Sequence, residues 1–199
     1  MAERLTAKRR GGGKGSVMEA KVYLDADEYL RDCWRLAAAV RDSGWRPTVI
    51  LALWRGGAPV GVAVQEFLKV CGLELRHIPV KCSSYAGIGA GSNAGAVNTE
   101  GLDAVLPLVG PGDRVLVADD VFDTGKTAAA VLPRLAATGA EARLACVYFK
   151  RANNLTGGRP DYFVSEIGGE WLVFPHELEG LSADELKTKD PLVARLLGD

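Results

Sequence analysis

At 199 residues, with 48% hydrophobic and 25% charged side chains, the chain has the make-up of one soluble globular domain with a real core, and this excludes a disordered chain or a membrane protein. Lys and Arg (24) nearly balance Asp and Glu (25), so no global field drives non-specific nucleic-acid binding and any anion site must be local. Cys33, Cys71, Cys82 and Cys146 are scattered with no C-x-x-C pair, which argues against a structural zinc site.

No apolar run approaches the roughly 18 residues of a membrane span, and residues 1–16 lack the apolar stretch of a signal peptide. A reduced, cytoplasmic protein is expected. The first segment, residues 1–16, places Lys8, Arg9, Arg10 and Lys14 around Gly11–Gly13 and reads as a flexible basic tail without assigned function.

From Asp25 the pattern is helical: Asp25-x-x-Glu28 resembles a capping box, and Leu30, Cys33, Trp34, Ala37 and Val40 recur at helical spacing to about Ser43. Thr48 to Leu53 reads as a buried strand, followed by Arg55-Gly56-Gly57 and a helix from near Pro59 to near Gly72. A further strand lies within Leu73 to Val80. The same grammar repeats as strand Arg114–Ala118, a polar turn, a helix from about Gly125 to Thr138 with an expected kink at Pro133, and strand Ala142–Phe149. Residues 81–113, rich in Gly, Ala, Ser and Asn, read as a mobile lid. Ser182-x-x-Glu185 opens a C-terminal helical extension over 181–199.

Alternating strands and helices call for an α/β fold with a doubly wound, mainly parallel sheet flanked by helices, in which ligands sit beyond the carboxyl ends of the strands. The most informative such loop follows Val115-Leu-Val-Ala: Asp119-Asp120-Val-Phe-Asp123-Thr124-Gly125-Lys126-Thr127. The turn from Asp123 to Thr127 can aim backbone N–H groups and a helix N-terminus at a phosphate, while Asp119 and Asp120 can accept from sugar hydroxyls or help hold magnesium. A Walker A loop is excluded, because its first glycine falls where Asp120 stands. A dinucleotide fingerprint over Gly89–Ala94 lacks the strand and helix that should flank it.

This segment resembles the signature of the type I phosphoribosyltransferases, which bind 5-phosphoribosyl pyrophosphate (PRPP), and the resemblance runs from about Val17 to Glu177. It implies a phosphoribosyltransferase domain over 17–180, with a small hood built from terminal segments that include 150–180. It also implies that Asp119 and Asp120 face the ribose 2- and 3-hydroxyls, that Asp123, Thr124, Gly125, Lys126 and Thr127 cradle the 5-phosphate, and that Asp123 lies near the purine N7. Leu53-Trp54-Arg55-Gly56-Gly57 matches the family's pyrophosphate loop, with Arg55 neutralising pyrophosphate and a cis peptide expected at Arg55-Gly56.

Ser84-Tyr85 is similar to the Ser-Tyr pair in the loop of hypoxanthine and guanine phosphoribosyltransferases, which implies that the two shield the reacting carbon. Lys150 and Trp171-Leu172-Val-Phe-Pro175-His176-Glu177 resemble the purine-binding segment of xanthine-guanine enzymes. By that resemblance Lys150 donates to a purine O6, Trp171 stacks on the ring and the backbone at Leu172 reads the 2-position edge. His176 departs from the tryptophan common at its place, so the choice among xanthine, guanine and hypoxanthine stays open. The implied catalytic residues are Asp123, Arg55, Ser84 and Tyr85. The implied metal is Mg2+, near Asp119, Asp120 and Glu177 together with PRPP oxygens.

The expected reaction is transfer of phosphoribose from PRPP to a 6-oxopurine with release of pyrophosphate, by a homo-oligomer (dimer or tetramer) without membrane or nucleic-acid partners. The rival readings are a phosphoribosyltransferase acting on another base and a PRPP-sensing regulator of the same fold that binds nucleic acid through the basic tail. Such a regulator would not need Lys150, Trp171 and Ser84-Tyr85 together.

Overall fold

The computed structural model describes residues 21–84 and 97–198. The tail at 1–16, Tyr85 and the Gly89–Ala94 segment lie outside the described residues. The chain divides into two compact units, residues 30–169 and residues 1–29 with 170–199.

The larger unit is built on a parallel five-stranded sheet. Its strands are β2 (Val49–Trp54), β3 (Arg76–Lys81), β6 (Arg114–Phe122), β7 (Glu141–Phe149) and β8 (Tyr162–Glu166), in the spatial order β3-β2-β6-β7-β8. Here β1 is Lys21–Tyr23 of the smaller unit, and β4 (Ser83–Ser84) and β5 (Val97–Asn98) form an antiparallel ribbon. The run Val49-Ile-Leu-Ala-Leu53 is buried on both faces, as a central parallel strand requires.

The helices are α1 (Ala26–Asp42), α2 (Gly57–Val70), α3 (Glu100–Asp103) and α4 (Lys126–Ala136). The expected α1 stands, with the Asp25 carboxylate accepting from the Glu28 N–H at 3.0 Å. The helix expected from Pro59 starts at Gly57, because the glycine pair itself enters the first turn. Helical structure in α4 continues through Pro133, whose missing N–H falls in the last turns.

Strand β6 runs past the expected end at Ala118 to Phe122, pairing Val121 with Tyr148 and Phe122 with Phe149. The acid pair therefore lies within a strand rather than at its tip. Of residues 81–113, the part from 97 onward is built into the domain: α3 and a 3-10 turn at Leu106–Leu108 bring Leu102, Val105 and Val109 into the core with Val49, Leu51, Val115, Val117, Val131 and Leu135. Three apolar side chains at near-helical spacing account for this.

Below the sheet, Asp113 ties three segments together. It accepts from Thr48 Oγ1 (3.0 Å), Arg76 (2.7 Å) and the Gly110 N–H (3.1 Å). In the smaller unit β1 pairs in parallel with β9 (Trp171–Val173), and Tyr29 meets Phe174 edge-on at 5.3 Å. The expected single terminal helix is two, α5 (Ala183–Lys189) and α6 (Pro191–Leu196), because Asp190 ends one and caps the next. Ser182 and Glu185 form a full capping box at the start of α5. Among the described residues no helix is long and apolar enough to cross a membrane.

Candidate active site

Strand order dictates where a site can lie. From β2 the chain passes to β3 on one side, and from β6 to β7 and β8 on the other, so the direction of winding reverses between β2 and β6. A crevice opens at the carboxyl ends of strands at such a switch point.

The loop after β2 and the acid pair of β6 meet there. A Cβ added to Gly56 would fall 1.9 Å from Asp120 Oδ2, and one added to Gly57 would fall 2.2 Å from the Ala118 carbonyl oxygen. Glycines let the Trp54–Gly57 loop lie this close to β6: a side chain at 56 would displace the Asp120 carboxylate, and one at 57 would displace backbone. Arg55 stands exposed beside them. The cis peptide is Trp54–Arg55, one bond before the expected Arg55–Gly56.

Asp119 and Asp120 are partly buried. Burial raises the Asp119 carboxyl well above the ordinary carboxylate range, and the neighbouring Asp120 charge adds to the rise. Asp119 accepts from the Asp120 N–H (3.1 Å) and Asp120 from the Val121 N–H (2.8 Å). Among the described residues no three His, Cys, Asp or Glu side chains gather to hold a metal. Two adjacent carboxylates suit a hard cation that takes most of its oxygens from a bound phosphate and water. Glu177 is engaged locally, accepting from the Phe174 N–H at 3.1 Å.

Beyond Phe122 the chain turns through Asp123, Thr124 and Gly125 into α4. Gly125 adopts φ +80°, a left-handed conformation that lets the turn close directly onto the helix. The first helical hydrogen bond of α4 runs from the Ala129 N–H to the Gly125 carbonyl (3.0 Å). The first-turn N–H groups, including those of Thr127 and Ala128, thus point out of the helix start without helical acceptors, where the dipole favours an anion.

Next to this cradle is a buried cation. Lys150, only 6% exposed, follows β7, and its Nζ lies 3.6 Å from Asp123 Oδ2. The other oxygen, Asp123 Oδ1, is buried with no hydrogen-bond partner. A buried acceptor left open beside a buried donor is a place for a polar ligand edge that presents a donor to one and an acceptor to the other. The backbone fixes the pair, since the Lys150 N–H donates to the Phe122 carbonyl (2.9 Å) and Phe122 packs edge-on against Phe149 (5.4 Å).

The structure therefore gathers Arg55, Gly56, Gly57, Asp119, Asp120, Asp123, Thr124, Gly125, Lys126, Thr127 and Lys150 around the carboxyl ends of β2, β6 and β7. Ser84 ends the β4 arm and pairs with Val97. In the smaller unit, Trp171 is 56% exposed on β9, and Leu172 pairs with Val22 of β1. Sequence reading missed Thr156, which lies in the loop after Lys150 and approaches the turn at Gly125, and Asn154, which holds Thr156. The only signal was a turn-forming Asn-Leu-Thr-Gly-Gly cluster, which by itself says loop and nothing more.

Comparisons with known proteins speak to the family and the fold. A family model described as a phosphoribosyl transferase domain matches residues 19–182. A purine phosphoribosyltransferase from Pyrococcus horikoshii shares 26% identity over 81% of this chain and 97% of its own, with a TM-score of 0.62. A hypothetical protein from Neisseria gonorrhoeae, solved with bound ppGpp, aligns over 88% of this chain and 99% of its own at 21% identity and a TM-score of 0.70. A hypoxanthine phosphoribosyltransferase from Staphylococcus aureus shares 16% identity over 73% of this chain and 76% of its own, with a TM-score of 0.55. The fold and the crevice define a phosphoribosyltransferase of the type I architecture. The chain belongs to the phosphoribosyl transferase domain family, with a fold like that of the purine enzymes.

Proposed function

We propose that the protein transfers the phosphoribosyl group of PRPP to a 6-oxopurine and releases pyrophosphate. The observation that carries this reading is the open, buried Asp123 Oδ1 next to Lys150, directly beside the phosphate cradle. A 6-oxopurine offers an O6 acceptor to the Lys150 ammonium and an N7 proton to the Asp123 carboxylate on the same edge.

In this reading the first turn of α4 holds the 5-phosphate, and Asp119 and Asp120 hold the ribose hydroxyls. Gly56 and Gly57 allow pyrophosphate to approach the backbone, while Arg55 screens its charge as it leaves. Asp119 and Asp120 would help hold magnesium, which would supply neutralisation of the pyrophosphate charge. Asp123 accepts or hydrogen-bonds the N7 proton as the opposite purine nitrogen attacks the ribose C1, whose transition state has oxocarbenium character. Trp171 and the Leu172 backbone are assigned to the ring face and the 2-position edge, and Ser84 and Tyr85 to shielding the reacting carbon.

The test is a competition assay across purines with wild type and Lys150→Gln. A buried ammonium facing the 6-amino group of adenine leaves two donors unpaired, which costs roughly 1 to 3 kcal/mol or more. Adenine should be a poor substrate of the wild type, and the variant should lose oxopurine activity while narrowing the gap. Efficient wild-type use of adenine, or unchanged discrimination in the variant, would remove Lys150 from the 6-position.

A further inference from the structure

The loop that follows Lys150 touches the phosphate turn a second time. The Leu155 N–H donates to the Thr124 carbonyl at 3.0 Å. A Cβ added to Gly125 would fall 2.2 Å from Thr156 Oγ1, so the hydroxyl rests directly on the glycine at the centre of the turn. The loop is also knotted to itself. Asn154 Oδ1 accepts from the Thr156 N–H (3.1 Å) and from its hydroxyl (3.2 Å), Asn154 Nδ2 donates to the Gly158 carbonyl (2.6 Å), and the Gly158 N–H donates to Thr156 Oγ1 (3.3 Å).

We infer that Asn154 and Thr156 are positioning residues for the 5-phosphate cradle, a role that rests on the function proposed above. The Leu155 N–H fixes the Thr124 carbonyl facing the 154–158 loop, and a peptide plane so fixed directs the following Gly125 N–H the opposite way. The Thr156 hydroxyl, held between Asn154 Oδ1 and the Gly158 N–H, keeps the left-handed Gly125 from relaxing. None of these contacts is with the pyrophosphate loop at Trp54–Gly57, so their effect is expected on ligands that carry a 5-phosphate. The arrangement also places the base-reading Lys150 and the brace of the phosphate turn in one short segment, residues 150–158.

Thr156→Val removes the hydroxyl at constant volume, Asn154→Ala removes the hub of the knot, and Thr156→Ser keeps the hydroxyl. The loop is exposed, so thermal melts of all three should match the wild type. Affinities are measured by calorimetry for ribose 5-phosphate and for magnesium pyrophosphate, together with KM for PRPP and for the base. The brace predicts that Thr156→Val and Asn154→Ala weaken ribose 5-phosphate and raise the PRPP KM by about fivefold or more, the scale of one to two lost net hydrogen bonds. Pyrophosphate affinity and base KM should stay unchanged, and Thr156→Ser should behave as wild type.

Unchanged ribose 5-phosphate binding in both variants, or an equal loss of pyrophosphate binding, would overturn the brace. If the wild type forms no nucleotide with any base while the variants still lose ribose 5-phosphate, the proposed reaction fails and the brace stands.

Discussion

Asp123 carries two tasks in one carboxylate, since Oδ2 faces Lys150 at 3.6 Å and Oδ1 is buried and open. If Oδ1 meets N7 as positive charge develops there, its interaction is stronger in the transition state than in the bound ground state. Asp123→Asn should then lower kcat by about 10²- to 10⁴-fold, the usual range for a general acid–base group, with a much smaller change in PRPP affinity. Parallel loss of both, read from steady-state kinetics and calorimetry, would show a binding role only. Arg55→Ala should weaken pyrophosphate and PRPP while leaving nucleotide monophosphate nearly unchanged, and calorimetry giving the opposite order would displace the loop after β2 from that role. Asp123, Arg55 and Lys150 could be named from sequence because each stands in a fixed place after a strand. Asn154 and Thr156 could not, because their contacts depend on where a turn between two strands folds back.

At the scale of elements, the loop after β2 lies close against β6 at the switch point because residues 56 and 57 lack side chains. Gly57→Ala would place a methyl 2.2 Å from the Ala118 carbonyl, a contact with backbone that cannot be relieved by a rotamer change. We expect a loss of roughly 1 to 3 kcal/mol of stability, by analogy with overpacking, together with loss of PRPP binding, both seen in denaturant melts with and without ligand. The other end of the sheet depends on Asp113. Desolvation raises its carboxyl, but hydrogen bonds from Arg76, Thr48 and Gly110 outweigh that and leave it lowered overall. A lowered folded-state value stabilises the fold above the unfolded value, about pH 3.9, and the contribution fades as pH falls through the folded value. The urea midpoints of wild type and Asp113→Asn should therefore differ at pH 7 and converge as pH falls through the lowered folded-state value. A gap that persisted in acid would assign the effect to shape rather than charge.

Periodicity located the main elements within a few residues, since the apolar runs of β2, β6 and β7 and the amphipathic α1 are local features of the chain. What it could not give was depth of pairing. Strand β6 extends through the acid pair to Phe122 because β7 offers partners as far as Phe149, a tertiary fact absent from the local pattern. In the same way Leu102, Val105 and Val109 read as part of a long Gly-, Ala-, Ser- and Asn-rich segment, because the surface they cover is supplied by the sheet.

For the whole molecule, the parallel sheet, its switch point and the two loops that meet there form one crevice, which in the proposed reading binds a phosphorylated sugar and a planar base side by side. The central claim is the reaction that this juxtaposition permits. The full chain, supplied with PRPP and magnesium, is offered hypoxanthine, guanine, xanthine, adenine, orotate and uracil in turn, and nucleotide and pyrophosphate are measured together. The account predicts equimolar nucleotide and pyrophosphate with at least one 6-oxopurine and little with adenine. Product with none of the bases, or with adenine, orotate or uracil in preference to every 6-oxopurine, would contradict it.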